Sequence, residues 1–387
     1  MYKSSRDIKQ SEMVDAWITN KSMGGWSAIT GFGKTYTAIQ AILRSKSPDV
    51  IIIVPTKDLK AQWVIELKKW KVPKYSVTIV NTAAKKKLSC DMFIIDEAHT
   101  TGMADWFQLS WTNASFNKLL WLSATPERRD DKHYKLFSIA PKLMSVTYQE
   151  ALKNGWIANY TMYNVGLELN NKEDIEYSRI QHRLDKLYDD VAKSTNSSYE
   201  YVKQNIFKMA SKFLKEGYPN VKYGAEYYRL IGQRKTLLYN ANNKLLRTAN
   251  YIKVNSDKKV LVFSQSQAFA DKLQELVGDV GVTIHSGMSD KDREYNLKRF
   301  RDKRTKIRAI ISVKALNEGI DVPELDVGIC ASGTSSKKDM VQMLGRIVRL
   351  NGNKKALFFN LYIKGTQDLY WLKNRQWDMD KNKIKWI

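Results

Sequence analysis

Cysteine is nearly missing: Cys90 and Cys330 are the only two in 387 residues, and they lie far apart. That usage excludes a disulfide framework and a zinc site built on paired thiolates. Seven prolines and nineteen glycines exclude collagen-like and Pro-rich character. Long hydrophobic runs are absent too; the longest apolar stretch, Val50 to Pro55, is far short of the roughly 20 residues that cross a bilayer. The opening MYKSSRDIKQ has no apolar core of a secretory signal, so a reducing cytoplasm is the expected setting, a host's if the gene is viral. Acidic residues are the last shortage: 40 Asp and Glu stand against 64 Lys and Arg, a formal charge of +24. Nucleic-acid phosphate is the partner that best matches such a surplus. No basic amphipathic helix is visible, so no membrane partner is expected.

What is present is enough for real cores. An apolar fraction of 43% with 11% aromatics excludes a mainly disordered chain, and the length suits two or three domains. Residues 26–125 alternate strand-like and helix-like segments. Val50-Ile-Ile-Ile-Val54 is a β-branched run suited to a strand buried on both faces of a parallel sheet. Leu59, Trp63, Leu67 and Trp70 form one stripe of an amphipathic helix. Phe93-Ile-Ile95 and Leu119-Leu-Trp-Leu122 read as further strands. From 172 to 255 the apolar residues take helical spacing, as in Ile206, Met209, Ala210 and Phe213. Alternation then resumes with Val260–Phe263, Val282–Ile284, Ala309–Ser312, Val327–Cys330 and Leu357–Leu361. The expected fold is therefore α/β: two tandem doubly wound parallel sheets with a mainly helical insert. The expected units are 1–150, a linker and insert over 151–255, and 256–387.

Ala28-Ile-Thr-Gly-Phe-Gly-Lys-Thr35 matches the phosphate loop GxxxxGK(S/T) except that Ala28 replaces the first glycine. Thr30, Gly31, Phe32 and Gly33 would turn the backbone so that successive N–H groups face phosphate oxygens at the start of a helix. Lys34 would add a cation at the β/γ-phosphates, and Thr35 a hydroxyl for Mg²⁺. Asp96 and Glu97 follow a strand, where open α/β sheets bind ligands. Asp96 would hold the Mg²⁺ through its water shell, and Glu97 would accept a proton from attacking water.

The order of these signals resembles a superfamily-2 helicase core. The phosphate loop, Asp96-Glu-Ala-His99 and Ser123-Ala-Thr125 look like motifs I, II and III of that family. Val260 to Ser264 resembles motif IV, and Ile284-His-Ser-Gly-Met288 the segment after it. Ser312-Val-Lys-Ala-Leu-Asn-Glu-Gly-Ile-Asp321 is similar to motif V, and Gln342-Met-Leu-Gly-Arg-Ile-Val-Arg349 to motif VI. Leu122-Ser-Ala-Thr-Pro-Glu-Arg-Arg-Asp130 and Val54-Pro-Thr followed by Leu59 and Gln62-Trp63 look most like the XPB, UvsW and type III restriction-subunit branch.

The resemblance implies two RecA-like domains closing on ATP, with Gln342, Arg346 and Arg349 facing the nucleotide from the second domain. Arginine suits that place because its charge is permanent and its fork fits phosphate oxygens. Gly319 and Asp321 match motif V positions near the nucleotide, and His99, Ser123 and Thr125 match positions that couple hydrolysis to strand contact. Relatives often read adenine through an Arg-x-x-Gln pair ahead of motif I; here Arg6 and Gln10 stand four apart, and Gln10 aligns as the adenine residue. Pro55, Thr56, Ser264, Ser286, Gly287 and Ser312 match strand-contacting positions, where small hydroxyls and N–H groups suit sequence-independent binding. Residues 291–308 carry nine basic and three acidic side chains, either a phosphate-binding face or a solvated one. Most of the eleven tryptophans are expected in the core.

The expected activity is an ATP- and Mg²⁺-dependent DNA helicase or translocase acting on single-stranded, forked or branched DNA in recombination, repair or branch migration, as in bacteriophages, and working as a monomer. An RNA helicase and a non-enzymatic nucleic-acid-binding module are the alternatives. The second would tolerate damage at Lys34, Asp96, Glu97 or Arg349, and all four are intact.

Overall fold

The computed structural model describes residues 4–128, 130–216, 220–285, 287–313, 325–350, 355–377 and 379–387. Ser286, Gly319 and Asp321 lie outside them.

The first domain runs α1 (Ser5–Thr19), β1 (Met23–Ala28), α2 (Lys34–Arg44), β2 (Val50–Val54), α3 (Lys57–Lys69), β3 (Tyr75–Ile79) and α4 (Val80–Ala83). It continues with β4 (Ser89–Ile95), α5 (Ala98–Thr101), α6 (Asp105–Thr112), β5 (Ser115–Ser123), α7 (His133–Phe137), β6 (Lys142–Val146) and α8 (Tyr148–Lys153). Its sheet has the order β3-β2-β4-β5-β1-β6, all parallel. The β-branched run of β2 pairs with Tyr75–Ile79 on one side and Met92–Ile95 on the other, as a two-sided strand should. In-register parallel pairing brings the carboxyl ends of β1, β2, β4 and β5 to one edge. The loops after Ala28, Val54, Ile95 and Ser123 therefore converge there, and they carry the chemistry.

Beyond α8 come β7 (Asn159–Leu167), α9 (Asn171–Ser194), α10 (Tyr199–Glu216), α11 (Val221–Tyr239) and α12 (Asn242–Val254). The chain closes with β8 (Val260–Ser264), α13 (Gln267–Val277), β9 (Gly281–His285), α14 (Asp290–Arg301), β10 (Ala309–Val313), β11 (Val327–Cys330), α15 (Lys337–Ile347), β12 (Lys355–Ile363), α16 (Gln367–Arg375) and β13 (Ile384–Trp386). The second sheet is parallel as well, in the order β13-β7-β12-β11-β8-β10-β9.

Two elements inside 151–255 belong with the second sheet rather than with an insert. β7 pairs along its whole length with β12, and α12 puts Leu245, Ala249 and Ile252 into one core with Phe269, Ala270 and Leu273 of α13. What stands apart is the three-helix bundle α9–α11. It has its own core of Ile180, Leu184, Val191, Ile206, Phe213 and Leu230. Asn170 opens it with a capping box, its side chain taking the Glu173 N–H while Glu173 returns a bond to the Asn170 N–H. Most of the tryptophans are interior, among them Trp17, Trp26, Trp63 and Trp121, which are fully buried.

The two sheets are joined by a packed seam. One apolar cluster runs from Phe32 and Trp156 through Tyr160 to Met340 and Leu344. Polar contacts cross the same seam. The Tyr148 hydroxyl donates to the Val341 carbonyl at 2.9 Å, and the Ala158 N–H to the Val348 carbonyl at 2.8 Å.

Candidate active site

The phosphate loop leaves β1 at Ala28 and enters α2 at Lys34. Gly31 and Gly33 have φ of 93° and 100°, a region closed to most side chains, so the loop can turn only because both are glycine. Two side chains of α1 brace it from behind. Arg6 donates to the carbonyls of Gly31 (2.7 Å) and Phe32 (2.8 Å), and Gln10 donates to the Phe32 carbonyl at 3.0 Å. Phe32 turns its ring away from the cleft onto Trp156, with centroids 5.4 Å apart. Gln10, expected to read adenine, is instead buried, and its amide holds the loop; it does not line the cleft, whereas Arg6 does. The four-residue spacing puts both side chains on one helix face, and both reach carbonyls of the loop.

Lys34 donates to the Ala28 carbonyl at 2.9 Å, which parks its ammonium at the mouth of the loop. Asp96, at the tip of β4, is 5% exposed. Its Oδ1 accepts from the Glu97 N–H at 2.9 Å and its Oδ2 from the Trp63 indole at 2.8 Å. Burial, then the charge of Glu97, pushes the Asp96 carboxyl up to about 6. Burial also acts on Glu97, but the fields of Lys34, Lys338 and Arg346 outweigh it and hold its carboxyl below the usual range. Glu97 sits at φ 49°, a strained position for a residue with a side chain. Its Oε2 accepts no hydrogen bond from the described residues, and lies 3.4 Å from His99 Nδ1.

His99 continues the line. Its Nδ1 is 2.8 Å from the Ser123 hydroxyl, which accepts the Thr125 N–H at 3.2 Å. The three residues expected to couple motifs are thus in one chain of contacts starting at Glu97. Burial drives the His99 imidazole down to about 4 against the pull of Glu97, so it is neutral at pH 7.

The second domain supplies the opposite wall. Gln342 and Arg346 are one helical turn apart on α15, and Arg349 follows two residues beyond its end. All three line a cleft of about 360 Å³ together with Thr30, Gly31, Gly33, Lys34, Thr35, Asp96 and Glu97. That volume suits a small ligand held on two sides. Lys338 joins them and donates to the Thr100 hydroxyl at 3.1 Å, a contact between domains that no local pattern announces.

The expected strand contacts are less uniform. Thr56 caps α3, accepting the Leu59 N–H, and Pro55 lines the nucleotide cleft itself. Gly287 is exposed, its N–H held by His285. Ser264 and Ser312 are each 2% exposed, which corrects the expectation that their hydroxyls meet a strand. They close the carboxyl halves of β8 and β10, inside the sheet, and the Ser264 hydroxyl bonds Ser266 within its own loop.

The donors fit a magnesium nucleotide. Among the described residues no cluster of three or more acidic, His or Cys side chains gathers. One buried carboxylate and one hydroxyl suit an ion that keeps most of its waters and borrows phosphate oxygens, as Mg²⁺ does.

Two family profiles match the chain: "Type III restriction enzyme, res subunit" over residues 5–90 and "Helicase conserved C-terminal domain" over 241–351. The chain carries the ATP-hydrolysing core of a superfamily-2 helicase. It is 26% identical over 382 residues to the DNA 3'-5' translocase XPB2 of Sulfurisphaera tokodaii, covering 93% of this chain and 82% of that protein. It is also 26% identical over 310 residues to the XPB helicase/translocase subunit of Dictyostelium discoideum, covering 78% of this chain but only 32% of that longer protein. The helicase domain of Pyrococcus furiosus Hef shares the fold, with a TM-score of 0.57 at 16% identity, covering 95% of this chain and 98% of that one. Within this helicase core, profile and geometry agree on the division of labour: the phosphate loop lies in the first match and motif VI in the second.

Proposed function

We propose that the protein is an ATP-driven DNA translocase or helicase of the XPB, UvsW and restriction-subunit branch, which remodels forked or branched DNA in recombination or repair and works as a monomer. The observation that carries this reading is the composition of the cleft between the two sheets. Lys34, Asp96 and Glu97 enter from one sheet, and Gln342, Arg346 and Arg349 from the other.

The residues divide the work. Backbone N–H groups of the loop and Lys34 bind the phosphates. Thr35 and Asp96 would hold Mg²⁺, which would supply neutralisation of the phosphate charge. Glu97, ionised at neutral pH and short of a hydrogen bond, takes the proton of the attacking water. Arg346 and Arg349 stabilise the charge that spreads on the transferring phosphoryl group. Because they belong to the second domain, hydrolysis depends on how the two domains sit, and each turnover can move one against the other.

DNA as the track rests on the +24 charge and on the kinship with the archaeal translocase. The bundle α9–α11 is the part suited to grip a junction. Its α10 presents Lys203, Lys208, Lys212 and Lys215 beside exposed Tyr201 and Phe207, cations for phosphate and rings for base stacking. The deciding experiment is the ATPase rate on a panel of single-stranded, duplex, forked and four-way DNA with matching RNA. Strongest stimulation by branched DNA supports the reading; stimulation by RNA alone, or by nothing, overturns it.

A further inference from the structure

Among the described residues that line the cleft, Asp96 is the carboxylate held by a side chain from another element. One of its oxygens is fixed by the backbone of the next residue, the other by the indole N–H of Trp63, 2.8 Å away on α3. For core packing alone, any large apolar ring would serve at position 63, between Leu59 and Leu67 on the buried stripe. An indole brings an N–H that must find a partner when buried, and Trp63 is 1% exposed. That partner is the carboxylate proposed to hold the metal.

The same helix reaches two other places. Its cap is Thr56, one of the positions that the family resemblance matches to a strand contact, and its first two turns place Leu59 and Gln62 in the wall of the nucleotide cleft. Trp63 lies seven residues past the cap, two turns of one rigid α-helix. A displacement of α3 by a phosphate bound at its cap would therefore be felt at Asp96 through a single hydrogen bond.

We infer that Trp63 is a positioning residue for ATP hydrolysis: its N–H orients Asp96 toward the metal and links the strand-binding cap of α3 to the hydrolytic centre. The inference rests on the functional reading above. It predicts a defect in metal use and in the response to DNA, whereas a purely packing role predicts a loss of stability and nothing else.

The test replaces only the N–H. Site-specific 3-benzothienylalanine at position 63 keeps the fused ring and puts a sulfur where the donor was; Trp63→Phe is the simpler companion. Hydrolysis is measured against Mg²⁺ concentration, with and without forked DNA, and binding of a fluorescent ATP analogue is measured without metal. Expected are a rise of about tenfold in half-saturating Mg²⁺ and a several-fold smaller stimulation by DNA, with metal-free nucleotide binding unchanged. A folded benzothienylalanine protein with wild-type Mg²⁺ dependence and wild-type stimulation overturns the inference while leaving the functional reading intact. A wild-type protein that no nucleic acid stimulates overturns both.

Discussion

A methyl group on Gly345 would lie 2.3 Å from Cβ of Thr30. The first belongs to α15 and the second to the phosphate loop, so the domains close only because position 345 has no side chain. Gly345→Ala should therefore hold them apart and pull Arg346 and Arg349 off the nucleotide. Expected are ATP binding within a few-fold of wild type and hydrolysis reduced at least about tenfold, read by a fluorescent ATP analogue and by phosphate release. The helix itself should gain slightly, since alanine is the better helix former by about 1 kcal/mol. A variant that is both more stable and inactive separates closure from folding.

Glu97→Gln and Arg349→Ala probe the two walls of the cleft. The first removes the proposed proton acceptor and leaves the shape of the site in place. Turnover should fall by roughly 100-fold or more while ATP still binds, because one positioned base contributes on that order. The second removes charge stabilisation from the far wall, and the loss should again fall on kcat and not on binding. Lys34→Ala differs in kind: it should weaken nucleotide binding as well, since the proposed role of Lys34 is to bind the phosphates in the ground state. Single-turnover hydrolysis with equilibrium binding distinguishes the two patterns.

These residues were legible because each set is local. Lys34 and Thr35 follow a turn that only glycines can make, Asp96 and Glu97 end an apolar strand, and Gln342, Arg346 and Arg349 recur at the spacing of one helix face. Trp63 was legible only as a member of an apolar stripe, because its second property, the N–H, acquires meaning once β4 lies beside α3. Lys338 and Thr100 meet across the seam, 238 residues apart in sequence, and no window of sequence contains both. β7 escaped for the same reason: its partner β12 follows almost two hundred residues later. Gln10 is buried against the loop it was expected to stand beside, because a pattern reports spacing and not depth. Ser264 and Ser312 have the right chemistry for a phosphate but close buried strands, so position in the sheet overrides residue type.

His99 carries a pH signature. Its imidazole titrates near 4 when folded and near 6.5 when exposed, because burial disfavours the cation. Above pH 6.5 both forms are neutral and its contribution to stability is complete. Below that, the unfolded chain takes up a proton that the folded one refuses, so stability is lost as pH falls from about 6.5 toward 4. His99→Gln cannot titrate and lacks this loss. Asp96 moves the opposite way, its carboxyl being raised to about 6, but it is common to both proteins and cancels in the comparison. Between pH 7.5 and 5.0 the wild type should lose about 2 kcal/mol more than the variant, measured by urea unfolding. Parallel losses would mean that the imidazole is charged in the native state.

Lys244 and Asp368 form an ion pair with no exposed surface, tying α12 to the start of α16 in the second domain. Lys244 also donates to the Leu238 carbonyl at 3.0 Å, and Asp368 Oδ2 accepts the Ile363 N–H at 3.0 Å. Removing one partner strands the other charge in a core, and that, more than the lost attraction, sets the penalty. Lys244→Met should cost about 3–5 kcal/mol. Adding Asp368→Asn to it should restore most of the loss, because the amide carries no charge yet its oxygen still accepts from Ile363. The pair lies away from the nucleotide cleft, so the folded double variant should hydrolyse ATP at the wild-type rate; urea unfolding with an ATPase assay on the same samples measures both. A double variant as unstable as the single one would place the penalty in lost packing of the lysine stem instead of in the unpaired carboxylate.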